Sequence, residues 1–147
     1  MRKRTLFILL SIVITLTITG CNNFAIGNIS DIAIKNQDKV SLSLKDKTLK
    51  NTGVTLVLKN NNNKLLYYDE KYELEIKQSN NWYKINIEAY FNEPLWQIKP
   101  NTEQEIKLNW ANVYGKLAKG TYRLIKKVYF ANEQDQSFYI AVEFTLK

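Results

Sequence analysis

From Val40 to Leu146 apolar and polar residues alternate with a period of two, and no other feature constrains the fold of this 147-residue chain as tightly. "VSLSLK" sets Val40, Leu42 and Leu44 against Ser41, Ser43 and Lys45. "VTLVLK" aligns Val54, Leu56 and Leu58, "YELEIK" aligns Tyr72, Leu74 and Ile76, and "WYKINI" aligns Tyr83, Ile85 and Ile87. "EIKLNW" aligns Ile106, Leu108 and Trp110, and "FYIAVEFTL" puts Phe138, Ile140, Val142, Phe144 and Leu146 on one face. Successive side chains of a strand point to opposite faces, so each run reads as a half-buried antiparallel strand. Turn-forming stretches separate them: "KNTG" at Gly53, "KNNNNK", "QSNN", "KPNT" at Pro100 and "NEQDQS". No long stretch carries the helical period, although "WANVYGKLAKG" has room for one helical turn. With "YRLIKKVYF" included, the pattern predicts an all-β antiparallel sandwich of about seven strands over residues 39–147. A chain of this size buries an adequate core without cross-links.

Two places depart from the pattern. In "YRLIKKVYF", Lys126 falls on the face of Tyr122 and Leu124, which predicts a bulge or the end of burial there. Asn60 to Asn63 read as a flexible turn.

"LAKGTYRL" places Leu117, Gly120 and Tyr122 at the start of a strand. A tyrosine just after a glycine turn resembles the tyrosine corner of immunoglobulin-like sandwiches, whose hydroxyl bonds back to upstream backbone. The stretches "LVLKNNNNKLLYYDEKYELE", "NNWYKI", "IKPNTEQEIKLNW" and "YGKLAKGTYRLIKKV" together resemble the bacterial Ig-like domain found in lipoproteins of Gram-positive bacteria. The resemblance spans roughly residues 40–146. It implies an extracytoplasmic immunoglobulin-like β-sandwich and no settled biochemical activity. The antibody-type disulfide is ruled out, because Cys21 is the only cysteine.

The front of the chain bears on location. Arg2, Lys3 and Arg4 precede an uncharged run from Thr5 to Ile18, followed by the small residues Thr19 and Gly20. A cationic front, an apolar core too short to span a bilayer and a small-residue exit make a secretion signal over residues 1–20. "ITGC" resembles the lipobox of bacterial lipoproteins, which implies cleavage between Gly20 and Cys21 and acylation of Cys21 with palmitate-type chains. One acyl chain holds weakly, and two or three anchor stably. The expected protein is therefore extracytoplasmic and lipid-anchored to the bacterial cell membrane. Residues 21–38 are expected to be the lipidated cysteine and a flexible tether, although "IAI" permits a first strand. Losing Arg2, Lys3 and Arg4 from 21 basic residues leaves 18 against 14 acidic ones, a formal +4. That modest excess reads most simply as a solvated surface, and with no basic cluster in the body no nucleic-acid partner is expected.

The chemistry available to the chain is limited. It has no histidine, and Cys21 is assigned to lipid, so Ser-His-Asp, Cys-His and ordinary zinc chemistry are excluded. No serine lies in a nucleophile motif. Asp69 and Glu70 form a carboxylate pair of the type that works as general acid and base, yet beside Lys64 and Lys71 they read as solvated charges. Asn132, Glu133 and Asp135 offer oxygen ligands but no full calcium loop. No enzyme, no metal and no cofactor is expected.

Aromatic residues, 12% of the chain, are the better lead. "EAYFNEPLWQIKP" gathers Tyr90, Phe91, Leu95 and Trp96 between two strands, as a partner surface or as a cap. The simpler expectation is that Trp96 plugs the open end of the sandwich. The leading functional expectation is a surface lipoprotein whose Ig-like module serves as an interaction or accessory domain for an envelope protein, peptide or wall polymer. The alternative is an immunity or inhibitor lipoprotein that sequesters a ligand or peptide on residues 90–98, and a carboxylate hydrolase ranks last.

Overall fold

The computed structural model describes residues 24–36, 39–87, 91 and 94–147. The strands are β1 (Ala25–Ile29), β2 (Val40–Leu44), β3 (Gly53–Asn60), β4 (Leu66–Tyr68), β5 (Glu73–Gln78), β6 (Asn81–Asn86), β7 (Trp96–Ile98), β8 (Thr102–Asn109), β9 (Gly120–Phe130) and β10 (Phe138–Leu146). One helical turn, α1 (Ala111–Tyr114), follows β8, and a 3-10 turn spans Gln134–Gln136. The expected all-β antiparallel sandwich is the fold found. β2, β3 and β8 form a three-stranded sheet, and the other strands form a seven-stranded one. The seven strands read from the period are all present; β1, β4 and β7 are additions of three to five residues each.

The period-two faces meet between the sheets. Val54, Leu56 and Leu58 of β3 oppose Leu74, Leu124, Val128 and Ile140 of the larger sheet, all buried. Burial of side chains of this size stabilises by roughly 1.5–3 kcal/mol each. No disulfide crosses the core, and aromatic rings stack within it. Trp110 lies against Phe144 and Phe144 against Tyr122, both at 5.6 Å between ring centroids. The Trp110 indole donates to the Asn51 carbonyl at 2.8 Å, so its one polar group is satisfied inside the core. Gly53 is required where β3 meets β8, since a Cβ there would lie 2.2 Å from the Leu108 carbonyl oxygen.

β9 organises the larger sheet. One edge pairs with β10 from Gly120 to Val128 without a register shift. The other edge pairs first with β5, through Ile125, and then with β4, from Val128 onward. The hand-over falls at Lys126. No bulge forms there and burial does not end: Lys126 keeps its inward place and is 1% exposed. Its ammonium donates to the carbonyls of Asp69 and, at 2.9 Å, Lys71 in the β4–β5 connection. Those carbonyls have lost their ladder partners, and the ammonium replaces them.

The Asn run is also more built than a flexible turn. Asn60 continues the inward face of Val54, Leu56 and Leu58 and is fully buried. Its amide nitrogen donates to the carbonyls of Lys64, Ile98 and Lys99, and its oxygen accepts from the Asn62 N–H. One side chain thus ties the end of β3 to its following turn and to β7.

Residues 24–36 differ from the expected tether. β1 pairs antiparallel with β6, Ala25 opposite Asn86 and Ile29 opposite Tyr83. The chain then crosses the outer face of the large sheet to the free edge of β10, where Ile34 forms a parallel bridge with Tyr139. On the way Ser30 meets Arg123, and Asp31 pairs with Lys84. The physical reason is the open β6 edge, whose unpaired N–H and C=O groups β1 satisfies. The rest of the segment called tether, residues 21–23 and 37–38, lies outside the described residues, as do the signal segment 1–20 and Tyr90.

Beneath this crossing Glu75 is completely buried and pairs with Arg123, its cross-strand neighbour. The Arg123 guanidinium also lies 4.7 Å from the Trp82 ring centroid. Arg123→Leu is expected to destabilise the fold by about 3–5 kcal/mol, because it strands a buried carboxylate. The double variant Glu75→Leu/Arg123→Leu is expected to recover most of that loss in urea unfolding; a double variant no better than the single one refutes the account.

Candidate functional site

The inner side chains of β8 are only half buried, unlike those of β3 beside it. β8 is an edge strand, and it faces the place where β9 passes from β5 to β4. The larger sheet does not fill in behind it, and a cleft of ≈ 440 Å³ remains. Gln104, Ile106 and Leu108 form one wall and Tyr68, Tyr72 and Lys126 the other. Phe91, Trp96, Asp69 and Glu70 also line it, and Glu105, Lys107, Asn109 and Val113 complete the β8 side. The lining mixes apolar and aromatic side chains with about as many charged and amide ones, which suits the alternating side chains of an extended peptide better than a purely apolar ligand.

The aromatic wall is locally fixed. Phe91 meets Tyr72 edge-on at 5.4 Å, and Tyr72 packs on Tyr114 at 5.7 Å. The Tyr114 hydroxyl, brought in by α1, accepts from the Leu74 N–H at 3.3 Å and donates to the Tyr72 carbonyl at 3.2 Å. Burial raises the phenol of Tyr72 to about 12 and that of Tyr114 further still. Both are neutral donors across the physiological range.

Lys126 is the charged group at the bottom of the cleft, its ammonium 5.2 Å from the Tyr68 ring centroid. Desolvation lowers its pKa to about 8, against an upward pull from the Asp69 and Glu70 carboxylates. Its bonds to two carbonyls hold it as a structural cation. The Asp69 Oδ1 atom is buried and has no hydrogen-bond partner among the described residues.

The expected site residues fall into two groups. Leu117, Gly120 and Tyr122 come together at one corner: Leu117 and Tyr122 are buried, and the Tyr122 hydroxyl donates to the Ala118 carbonyl at 3.0 Å. A Cβ on Gly120 would touch the Tyr122 ring at 3.4 Å. In the aromatic loop Phe91 lines the cleft, but Trp96 does not plug the sandwich. It stands at the cleft with 45% of its surface exposed, and Leu95 beside it is 55% exposed. β7 pairs only with β4 and ends its sheet, so among the described residues no further strand lies beside Trp96, and the cleft under β8 leaves it partly open. Gly20, Cys21 and Tyr90 lie outside the described residues. At the β9–β10 hairpin, Glu133 accepts a salt bridge from Lys64. No group of three or more metal-ligating residues occurs among the described residues.

Sequence reasoning missed Asn60, Lys126 as a buried cation, and the Glu75–Arg123 pair. Inward parity was available for the first two, since each continues an apolar face. Nothing in the sequence announces the third.

A family model described as bacterial Ig-like domain matches residues 36–145. No curated protein and no solved structure matches the chain.

The buried lysine generates a pH signature. Its folded pKa of about 8 lies below the unfolded value of ~10.4, so the unfolded chain binds more protons between them. Stability is therefore expected to rise between pH 8 and 10 by about 2–3 kcal/mol, the relief of a shift of roughly two units. Above pH 10 the raised Tyr72 phenol acts in the opposite sense, because the unfolded chain ionises first. Urea unfolding against pH checks this, and Lys126→Met is expected to abolish the rise whatever its stability at pH 7.

Proposed function

The chain belongs to the bacterial Ig-like domain family, and from that premise we propose that it is a lipid-anchored accessory module of the cell surface that binds an extended segment of an envelope protein along β8. The observation that carries the reading is the cleft beside β8. Strand addition needs a free edge and pockets for alternate side chains. β8 has eight residues, and no strand pairs with its outer edge among the described residues. Ile106 and Leu108 lie open toward Tyr72 and Phe91. Main-chain hydrogen bonds supply attachment in such a complex, and the cleft supplies preference among side chains.

The anchor rests on the residues at the front of the chain: Arg2, Lys3 and Arg4, the apolar run from Thr5 to Ile18, and Gly20 before the lone Cys21. The reading assigns no catalysis. Supporting this are the absent histidine and a buried lysine committed to backbone carbonyls.

Two measurements test these points separately. Metabolic palmitate labelling is expected to mark the wild-type protein and not Cys21→Ser; an unlabelled wild type overturns the anchor. For the binding surface, a photo-crosslinking residue at position 106 is expected to give a discrete adduct in intact cells, with none from position 143 on the outer face of β10. Equal adducts at both positions, or none at 106, overturn the strand-addition reading.

A further inference from the structure

We infer that the corner of the sandwich carrying Ile26, Leu95 and Trp96 docks on the bilayer surface, by apolar insertion rather than by charge. Large apolar side chains seldom stay exposed without a reason when they cluster. Ile26 is 41%, Leu95 55% and Trp96 45% exposed. The topology brings them to one corner. β1 starts opposite the last residue of β6, Ala25 against Asn86, and the chain that leaves β6 there returns at Leu95 to open β7 with Trp96.

That corner is also where the chain enters the fold. Only three residues, Asn22, Asn23 and Phe24, separate Cys21 from the first residue of β1. Fully extended, the four steps from Cys21 to Ala25 span at most ~14 Å. The inference therefore rests on the reading of Cys21 as the lipidated residue. Once that sulfur is held at the membrane, a link of at most ~14 Å keeps the corner within about one further headgroup depth of the bilayer, since that layer is itself roughly 5–7 Å deep, and apolar insertion is what brings it into contact. An indole with one apolar side and one N–H is the side chain best suited to that layer, and leucine adds buried area below it. Charges of both signs lie around the neighbouring cleft, Asp69, Glu70 and Glu105 with Lys107 and Lys126, so the corner presents no one-sided basic patch to anionic lipid. Docking this way fixes the orientation of the cleft, whose lining includes Trp96, relative to the membrane.

The test attaches the protein chemically. Residues 21–147 are coupled through the Cys21 thiol to a maleimide lipid in phosphatidylcholine vesicles, so attachment does not depend on acylation in the cell. Tryptophan emission is then read with lipids brominated at shallow or deep acyl positions. Trp110 is fully buried and Trp82 lies under Lys77 and Arg123 in both proteins, so the difference between wild type and Trp96→Phe reports the corner. Shallow bromolipids are expected to quench the wild type and to lose most of that effect in Trp96→Phe. Leu95→Asp, which keeps the fluorophore, is expected to weaken quenching as well. Quenching should survive about 0.5 M salt, where the Debye length is roughly 4 Å. Equal quenching in wild type and Trp96→Phe, or none in either, overturns the inference. So does a concentration-dependent dimer of the uncoupled protein that Leu95→Asp abolishes, since the occupant is then a second copy. If palmitate labelling fails while the coupled protein is quenched, the anchor reading falls and the docking chemistry stands. If labelling succeeds and quenching is absent, only the docking falls.

Discussion

The hand-over of β9 from one neighbour to another is the constraint on which the rest of this structure depends. A strand of 11 residues is paired along one edge by β10, while its other edge is divided between β5 and β4. Any such division leaves backbone groups at the joint without ladder partners. Here they are the carbonyls of Asp69 and Lys71, and the Lys126 ammonium takes both. Because the two partner strands are separated by that joint, the large sheet has a recess on its inner side. β8 runs over the recess, and the cleft is what remains between them. The buried cation and the open cleft are thus two results of a single break in the sheet.

The three buried polar residues share a logic. Asn60 joins the end of β3 to β7, Lys126 joins β9 to the β4–β5 connection, and Glu75 joins β5 to β9 through Arg123. Each stands where regular pairing stops or where a crossing segment covers a sheet face. Apolar packing is non-directional and would leave these junctions loosely specified. A hydrogen-bonded polar group fixes register at a joint, at the cost of desolvation, and for Glu75 that cost includes a buried Oε1 with no partner among the described residues. With no disulfide, the Trp110–Phe144–Tyr122 stack links the residue just before α1 to β10 and β9.

The period of two made seven strands legible, because each is five residues or longer and keeps one face apolar. β4 and β7 have three residues, too few for a period to emerge, and exist because β9 and β4 offer edges to them. β1 has an exposed-looking sequence, "AIGNI", and its pairing is decided by the vacant β6 edge. Asn60 and Lys126 obey the inward parity, but their residue types argued for turn and surface, and tertiary partners override that preference. For the site, the aromatic signal of Phe91 and Trp96 was readable, whereas the half-exposure of Ile106 and Leu108 was not. It depends on β8 being an edge strand, and edge or centre is a property of topology that local sequence does not encode.

The segment that crosses the outer face has a mechanical meaning. Any tension applied to the chain ahead of Phe24 enters the domain through β1 and loads its short ladder with β6 before any other element. The family match begins only at residue 36, so β1 and the crossing lie ahead of the matched domain. Peeling them away would leave the sandwich core intact and would bring water to the Glu75–Arg123 pair, now sealed beneath Ser30. A pull applied there would thus bear first on the β1–β6 ladder, and its loss would open the Arg123 side of the ion pair further to water.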